Sequence, residues 1–92
     1  NQEITRDSFT AVPSGTVIVR SRKSGDSMRF PGGTKSLKKW MIDEKIPAAR
    51  RDCIPVIADD RGILGVYGAG GNLDRLTGTG RTMYFRFETT NK

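Results

Sequence analysis

The chain has 92 residues, enough for one domain but too few for a deep catalytic cleft beside its core. With 35% hydrophobic and 28% charged residues it has the composition of a folded domain; no apolar run approaches the roughly 20 residues of a membrane span, and the absence of histidine excludes histidine-based catalysis and most zinc sites. The net charge of +6 is concentrated in Arg20–Arg51, where ten basic and three acidic residues give +7 and leave −1 for the remainder, an asymmetry typical of polyanion binding.

The first predicted elements are extended. Residues 3–9 fit either a strand or a linker, so 1–13 is interpreted as a linker or an edge strand. The β-branched residues of GTVIVRSR predict a strand over Thr16–Arg20. KSGDS then makes a turn, and Ser27–Phe30 is a short extended segment. The sequence PGG breaks the chain before a helix.

One main helix is predicted from Lys35 to about Lys45, with Thr34 as its N-cap. Free backbone amides in its first turn, with Lys35 beside them, are a candidate site for one backbone phosphate. The alternative is a capped helix end with no ligand. Pro47 requires an extended residue before it, so the helix ends there, and AARRD forms one further helical turn.

The predicted helix is amphipathic. Its apolar face has the spacing of a core-facing stripe and consists of Leu37, Trp40 and Met41. A second face carries three lysines with the same spacing: Lys35, Lys38 and Lys39. We expect the apolar face to pack in the core and the basic face to meet water or phosphate.

The segment after the helix predicts a hairpin. IPVIA and ILGVYG are strand sequences on either side of the turn DDRG. Asp59 and Asp60 are interpreted as turn residues, since a metal or acid–base pair would need further acids or histidines nearby. Cys53 precedes the first of these strands in an apolar context, so we predict a small buried hydrophobic residue. A single cysteine forms no internal disulfide, and a reducing cytoplasm is the expected location.

The last part of the chain combines a glycine-rich segment with a strand. Residues 68–80 are predicted to be a mobile loop. Residues 81–89 alternate as a strand, with Met83, Phe85 and Phe87 on one face and Tyr84 on the other. Together the elements predict an α+β domain: a small, mostly antiparallel sheet or β-sandwich of about five or six strands with one main amphipathic helix.

Six short motifs occur in order between Thr16 and Gly70. R-x-R-x-x-G-D matches the segment from Arg20 to Asp26, and G-x-x-K-x-L-K-K matches Gly32 to Lys39. An I-P-x-x-x-R turn follows at Ile46 to Arg51. The remaining matches are a P-V-I strand, a D-x-x-G turn and a V-x-G sequence, at Pro55–Ile57, Asp59–Gly62 and Val66–Gly68.

In this order and spacing the motifs resemble the C-terminal domain of tRNA(Ile)-lysidine synthetase. One departure is Gly65, where that family often has a large aromatic residue, and it concerns the packing of this strand. The resemblance implies a fold shared with a domain of the phenylalanyl-tRNA synthetase beta chain, an unusual β-sandwich with helices. This implied fold agrees with the α+β class predicted from the residues.

The resemblance also implies a function. The whole enzyme uses ATP, with magnesium, to attach lysine to the wobble cytidine of tRNA(Ile), and its chemistry belongs to an N-terminal ATP-pyrophosphatase domain with an S-G-G-x-D-S loop. Ser24–Ser27 reads SGDS and lacks the second glycine. We therefore expect this chain to be a non-catalytic, cofactor-free fragment that starts at Asn1 within a larger cytoplasmic protein. Its expected partners are the acceptor stem of tRNA(Ile) and the N-terminal domain of the same protein. No membrane partner is expected.

The candidate RNA-binding residues are the basic residues of the charged window: Lys35, Lys38, Lys39, Arg50, Arg51, Arg20, Arg22 and Lys23. A-form RNA presents phosphates, 2′-hydroxyls and shape rather than a readable major groove, so basic side chains suit it. Structural alternatives are an ion pair of Arg22 with Asp26 and one of Arg51 with Asp43 or Asp52. Two rival functions are a docking or structural module whose basic patch meets an acidic neighbouring domain, and a small enzyme with an unrecognised site.

Overall fold

The computed structural model describes residues 8–78 and 80–87, and within these ranges every strand pairing is antiparallel. The strands are β1 (Ser8–Ala11), β2 (Ile18–Arg20), β3 (Ser27–Phe30), β4 (Gly33–Ser36), β5 (Val56–Asp59), β6 (Gly62–Val66), β7 (Gly70–Gly71) and β8 (Met83–Arg86). The helical elements are α1 (Leu37–Asp43), α2 (Ala48–Arg51) and a 3₁₀ turn (Leu73–Arg75). In these ranges no helix is both long and apolar enough to cross a bilayer. The predicted α+β class with one main helix is confirmed.

The strands form three small sheets arranged in layers. The central sheet has the order β2-β5-β6-β7. The β3–β4 hairpin and α1 pack on one of its faces, and the β1–β8 pair packs on the other. The tight DDRG hairpin predicted from the sequence is the β5–β6 connection.

Two hydrophobic clusters hold the layers together. The cluster under α1 consists of Met28, Leu37, Trp40, Met41, Val56, Ile63 and Val66. The cluster under β1 consists of Phe9, Ala11, Ile57 and Leu64. A register shift between Ile57 and Ala58 lets Ile63 and Val66 face the same cluster although they are an odd number of residues apart. The predicted apolar helix face is confirmed, because all three of its residues are buried.

The predicted start of the helix is wrong by two residues. Thr34 is in β4, where it pairs with Arg29, and the N-cap is Ser36, whose Oγ accepts a hydrogen bond from Lys39 N at 3.0 Å. The cause is the β3–β4 hairpin, whose register pairs residues up to Ser36 with β3 and leaves the helix to begin at Leu37.

The helix ends in a Schellman motif. The amides of Lys45 and Ile46 donate to the carbonyls of Ile42 and Met41, at 3.0 Å each. This places Lys45 in the left-handed region, with φ of 60°, where glycine is the usual residue. Ile46 then packs against the cluster under α1.

The segment predicted as a glycine-rich loop contains β7 and the 3₁₀ turn. Asn72 is buried, and its Nδ2 donates to the carbonyl of Ile63 at 2.8 Å. Its Oδ1 accepts from the amides of Arg29 and Asp74, each at 3.0 Å. One amide side chain thus connects β3, β6 and the 3₁₀ turn by hydrogen bonds.

Phe9 explains the glycine at position 65. A Cβ built on Gly65 would lie 2.5 Å from two atoms of the Phe9 ring. The aromatic ring over this strand therefore comes from β1, and it stacks on Phe85 with centroids 5.1 Å apart. The residue type that departs from the family pattern is the one that the packing requires.

The two ends of the chain agree with part of the predictions. Residues 8–11 form a strand paired with β8, whereas residues 3–7 and 88–89 lie outside the described ranges. Phe85 and Phe87 pack on the cluster under β1 and Tyr84 is exposed, as predicted. Met83 lies at the end of the pair, opposite Ala11, and is 48% exposed.

Cys53 is exposed, and its prediction as a buried residue is wrong. It lies in the turn after α2, where its amide donates to the Arg50 carbonyl at 3.0 Å. β5 begins only at Val56, so the apolar sequence context of Cys53 belongs to the following strand.

Asp59 has a structural role. Its carboxylate accepts from Arg75 Nη2 at 2.6 Å, from Ser14 N at 2.7 Å and from Arg61 N at 2.9 Å, and its side chain is fully buried. Burial raises its pKa, but the hydrogen bonds from Arg75 and the two amides outweigh this and lower the pKa to about 2. The acidic turn thereby joins the hairpin to the loop after β1 and to the 3₁₀ turn.

Candidate nucleic-acid interface

The turn between β2 and β3 is held by an ion pair between Arg20 and Asp26. The guanidinium donates to both carboxylate oxygens, at 2.8 and 3.3 Å, and the amide of Lys23 donates to the same carboxylate at 2.6 Å. Gly25 supplies the positive φ, 89°, that the turn needs. The carbonyl of Asp26 accepts from Leu37 N at 2.9 Å, which connects the turn to the start of α1.

These contacts set the charge of Asp26. Partial burial raises its pKa, but the hydrogen bonds from Arg20 and Lys23 N outweigh it and hold the pKa below its ordinary value. The carboxylate is thus ionised at neutral pH and neutralised by Arg20. The alternative in which Arg22 pairs with Asp26 is wrong, because Arg20 occupies that position.

Arg22 lies instead beside Asp52. Its Nε is 3.6 Å from Asp52 Oδ1, which is an ion pair but too long for a hydrogen bond. The Nε atom is buried and has no hydrogen-bond partner among the described residues. The Arg22 side chain is 22% exposed, whereas that of Asp52 is 78% exposed.

A pocket of about 320 Å³ opens between this turn, the start of α1 and the end of α2. Its lining consists of Arg22, Lys23, Ser24, Gly25, Asp26, Ser36, Lys38 and Asp52. A hydrogen bond of 2.8 Å from Ser21 Oγ to the Asp52 carbonyl connects β2 to the end of α2 at this point. The fold thus brings together three of the predicted basic residues, Arg22 and Lys23 from the turn after β2 and Lys38 from α1.

The other two predicted lysines share a single acid. Lys35 Nζ and Lys39 Nζ lie 3.0 and 3.3 Å from the two oxygens of Asp43. The hydrogen bond from Lys35 outweighs desolvation and, with that from Lys39, lowers the pKa of Asp43. Lys35 belongs to β4 rather than to the helix, and its Nζ lies 5.7 Å above the centre of the Phe30 ring. The helix start predicted beside Lys35 is therefore wrong, whereas phosphate binding by Lys35 stays a prediction.

The two arginines of α2 differ in their surroundings. Arg51 Nε donates to the Ile46 carbonyl at 3.0 Å, so neither predicted ion pair, with Asp43 or with Asp52, forms. Arg50 is exposed. Within residues 8–78 and 80–87, the side chains of Lys23, Lys38 and Arg50 have no hydrogen-bond or ion-pair partner.

Sequence reasoning missed the polar residues that complete the pocket. Asp52 follows the basic pair of α2, and Ser24 and Ser36 lie in a turn and at a helix cap. No local signal places these three side chains together, because the contacts that assemble them join segments distant in sequence. The N-capping potential of Ser36 was the one signal available, and it competed with that of Thr34.

The comparisons with known proteins agree on one family. The family model described as the TilS substrate C-terminal domain matches residues 17–84. A tRNA(Ile)-lysidine synthase of Bacillus licheniformis is 33% identical over 82% of this chain, and one of Caldanaerobacter subterraneus subsp. tengcongensis is 46% identical over 59% of it. A bifunctional protein TilS/HprT of Listeria monocytogenes is 51% identical over 50% of the chain.

These matches span 14%, 12% and 7% of the relatives' own lengths, so the chain corresponds to a small part of each. A solved structure described as the crystal structure of the TilS C-terminal domain superposes with a TM-score of 0.69 at 30% identity, covering 97% of this chain and 77% of that one. The motif order, the layered fold and these matches lead to the same conclusion: the chain belongs to the TilS C-terminal domain family.

Proposed function

We propose that this domain binds tRNA(Ile) at the acceptor stem, as the C-terminal module of a cytoplasmic tRNA(Ile)-lysidine synthase. In this proposal an N-terminal ATP-pyrophosphatase domain of the same protein carries out the ATP- and magnesium-dependent attachment of lysine to the wobble cytidine. The chain described here contributes binding only. Mixed with ATP, lysine and tRNA(Ile), it is expected to form no lysidine.

The observation that carries the proposal is the meeting of Arg22, Lys23 and Lys38 at one pocket. Among the described residues of the lining, Asp26 and Asp52 are the acids beside these three cations, which leaves an excess of positive charge at the pocket. A polyanion neutralises that excess and gains from counterion release. The excess of positive charge in this third of the chain supports the same partner.

The geometry divides the candidate residues into groups. Lys23, Lys38 and Arg50 have side chains that no described residue engages, so they are proposed to contact phosphates. Lys35 and Lys39 share Asp43 and contribute a smaller net charge. Arg20 and Arg51 donate to the protein itself, and their proposed role is to hold the surface in shape.

Binding measured as a function of salt tests the proposal. For three to five phosphate contacts, the logarithm of the association constant falls with the logarithm of the salt concentration with a slope of about −3 to −4. The double substitution Lys38→Glu and Lys39→Glu should weaken tRNA binding and flatten the slope. Charge reversal of Arg61, which is exposed and outside the charged window, is the matched control. Equal affinity and slope for wild type and the double variant would refute tRNA binding by this face.

Docking against another domain of the same enzyme is the second candidate function. The observation in its favour is β2, an edge strand of the central sheet whose Ile18 and Val19 are 48% and 66% exposed, next to Val17 at 38%. Apolar side chains on an unpaired edge are typical of a surface that another chain segment covers. Binding of the remainder of the enzyme, supplied as a separate chain and unaffected by salt, would support this function.

A further inference from the structure

The pocket contains a hydrogen-bond donor for which the described residues provide no acceptor. Arg22 Nε is buried, and Asp52 Oδ1, at 3.6 Å, is too far away to accept from it. A buried donor in this state has lost its water without gaining a partner, so an acceptor from outside the domain would relieve it. Such orphaned donors are rare enough in folded proteins to require an explanation.

The charges around the pocket favour an anion as that acceptor. Lys23 and Lys38 add two cations to that of Arg22, and the acids of the lining are Asp26 and Asp52. Asp26 is already neutralised by Arg20, with contacts of 2.8 and 3.3 Å. Asp52 is thus the remaining competitor for Arg22, and it holds the arginine only loosely.

A phosphate fits these donors better than a carboxylate does. The guanidinium fork of arginine presents Nε and Nη together to two oxygens of one anion, and a phosphate has further oxygens for the point charges of the lysines. The hydroxyls of Ser24 and Ser36 also line the pocket and are able to donate. A carboxylate would leave some of these donors unpaired.

We propose that this pocket binds one backbone phosphate of the RNA, with Arg22 as its principal contact, and that Asp52 is an internal competitor which the phosphate displaces. The inference rests on the proposed function for the source of the phosphate. Asp52 Oδ1 lies 3.6 Å from Nε, so in this proposal a phosphate oxygen that accepts from Nε takes the place of that carboxylate. That carboxylate is 78% exposed, so water solvates it readily once it leaves.

Two conservative substitutions distinguish this pocket from a diffuse basic surface. Arg22→Lys keeps the charge but removes the fork, so it should weaken tRNA(Ile) binding about tenfold and leave the salt slope unchanged. Asp52→Asn removes the competitor and should tighten binding about two- to fivefold, the range for release of an exposed ion pair. The matched controls are Arg61→Lys and Asp60→Asn, at the opposite end of β5, and neither should change the affinity.

The NMR signal of the Arg22 Nε–H group gives a direct readout. The signal is assigned by its absence from the Arg22→Lys spectrum, and the backbone spectra show whether each variant is folded. The Arg22 Nε–H signal should shift when tRNA(Ile) transcript or inorganic phosphate is added to the wild-type chain. In the Asp52→Asn variant the shift should be complete at lower concentrations of either probe.

The outcomes separate this proposal from the broader one. If tRNA binds with the expected salt slope but the Arg22 signal does not move, the pocket is not a phosphate site and tRNA binding stands. If tRNA fails to bind the wild-type chain, the proposed function is refuted. The proposal that the phosphate comes from RNA is then refuted as well, even if inorganic phosphate shifts the Arg22 signal. A shift produced by polyglutamate and not by tRNA would assign the pocket to an acidic protein partner and overturn the proposal.

Discussion

Replacing Gly65 with alanine should destabilise the domain through one identifiable contact. The added Cβ would lie 2.5 Å from Cε1 and Cζ of Phe9 and 2.8 Å from Cε2. Phe9 is 8% exposed and stacked on Phe85, so its ring has little space into which to retreat. Overpacking of this kind destabilises a domain by about 1–3 kcal/mol. The preference of a strand for alanine over glycine offsets about 0.5–1 kcal/mol of that loss. We expect a net loss of about 1–2 kcal/mol in the free energy of unfolding.

Urea denaturation followed by the fluorescence of Trp40 measures this loss, and thermal unfolding should show a Tm lower by about 5–10 °C. The companion substitution is Phe9→Leu, which removes the ring atoms that the new methyl group would meet. In that background Gly65→Ala should be neutral or slightly stabilising, so the two substitutions couple by about 2 kcal/mol. Gly32→Ala, at a position with open space around the missing Cβ, is the control. Equal destabilisation by Gly65→Ala with and without the Phe9 ring would refute the reasoning.

Three further predictions concern stability. Trp40→Ala should cost about 3–5 kcal/mol, since Trp40 is buried in the cluster under α1, and an unchanged Tm would contradict its place there. Asp59 has a pKa of about 2 in the folded protein against an ordinary 3.8, so its ionisation contributes about 2 kcal/mol to the free energy of unfolding. This contribution is fully present above pH 5 and is lost as the pH falls from about 4 to 2. Asp59→Asn should therefore flatten the acid side of a plot of stability against pH, and an unaltered plot would argue against the Arg75 contact. Lys45→Gly should stabilise the folded domain by about 0.5–1 kcal/mol, because glycine adopts a φ of 60° without the strain of a Cβ. A lower urea midpoint for this variant would show that the lysine side chain stabilises the domain by more than the backbone strain destabilises it.

Features that depend on neighbours in sequence were predictable. The apolar face of Leu37, Trp40 and Met41 follows from helical spacing, which places these side chains together in any helix. The tight turn before Gly62 and the end of the helix before Pro47 follow from backbone preferences that act over one or two residues. Charge concentration is likewise readable from the sequence, because it needs only a count of residues.

The tertiary structure decided which of several equivalent residues takes each role. Arg20 and Arg22 both lie close enough in sequence to pair with Asp26, and the register of β2 against β5 gives that position to Arg20. Thr34 and Ser36 are both competent N-caps, and the β3–β4 hairpin takes the first. The pocket exists only because the ends of α2 and β2 and the start of α1 meet there. Such meetings depend on strand register and layer packing, which are long-range and therefore absent from any local pattern of residues.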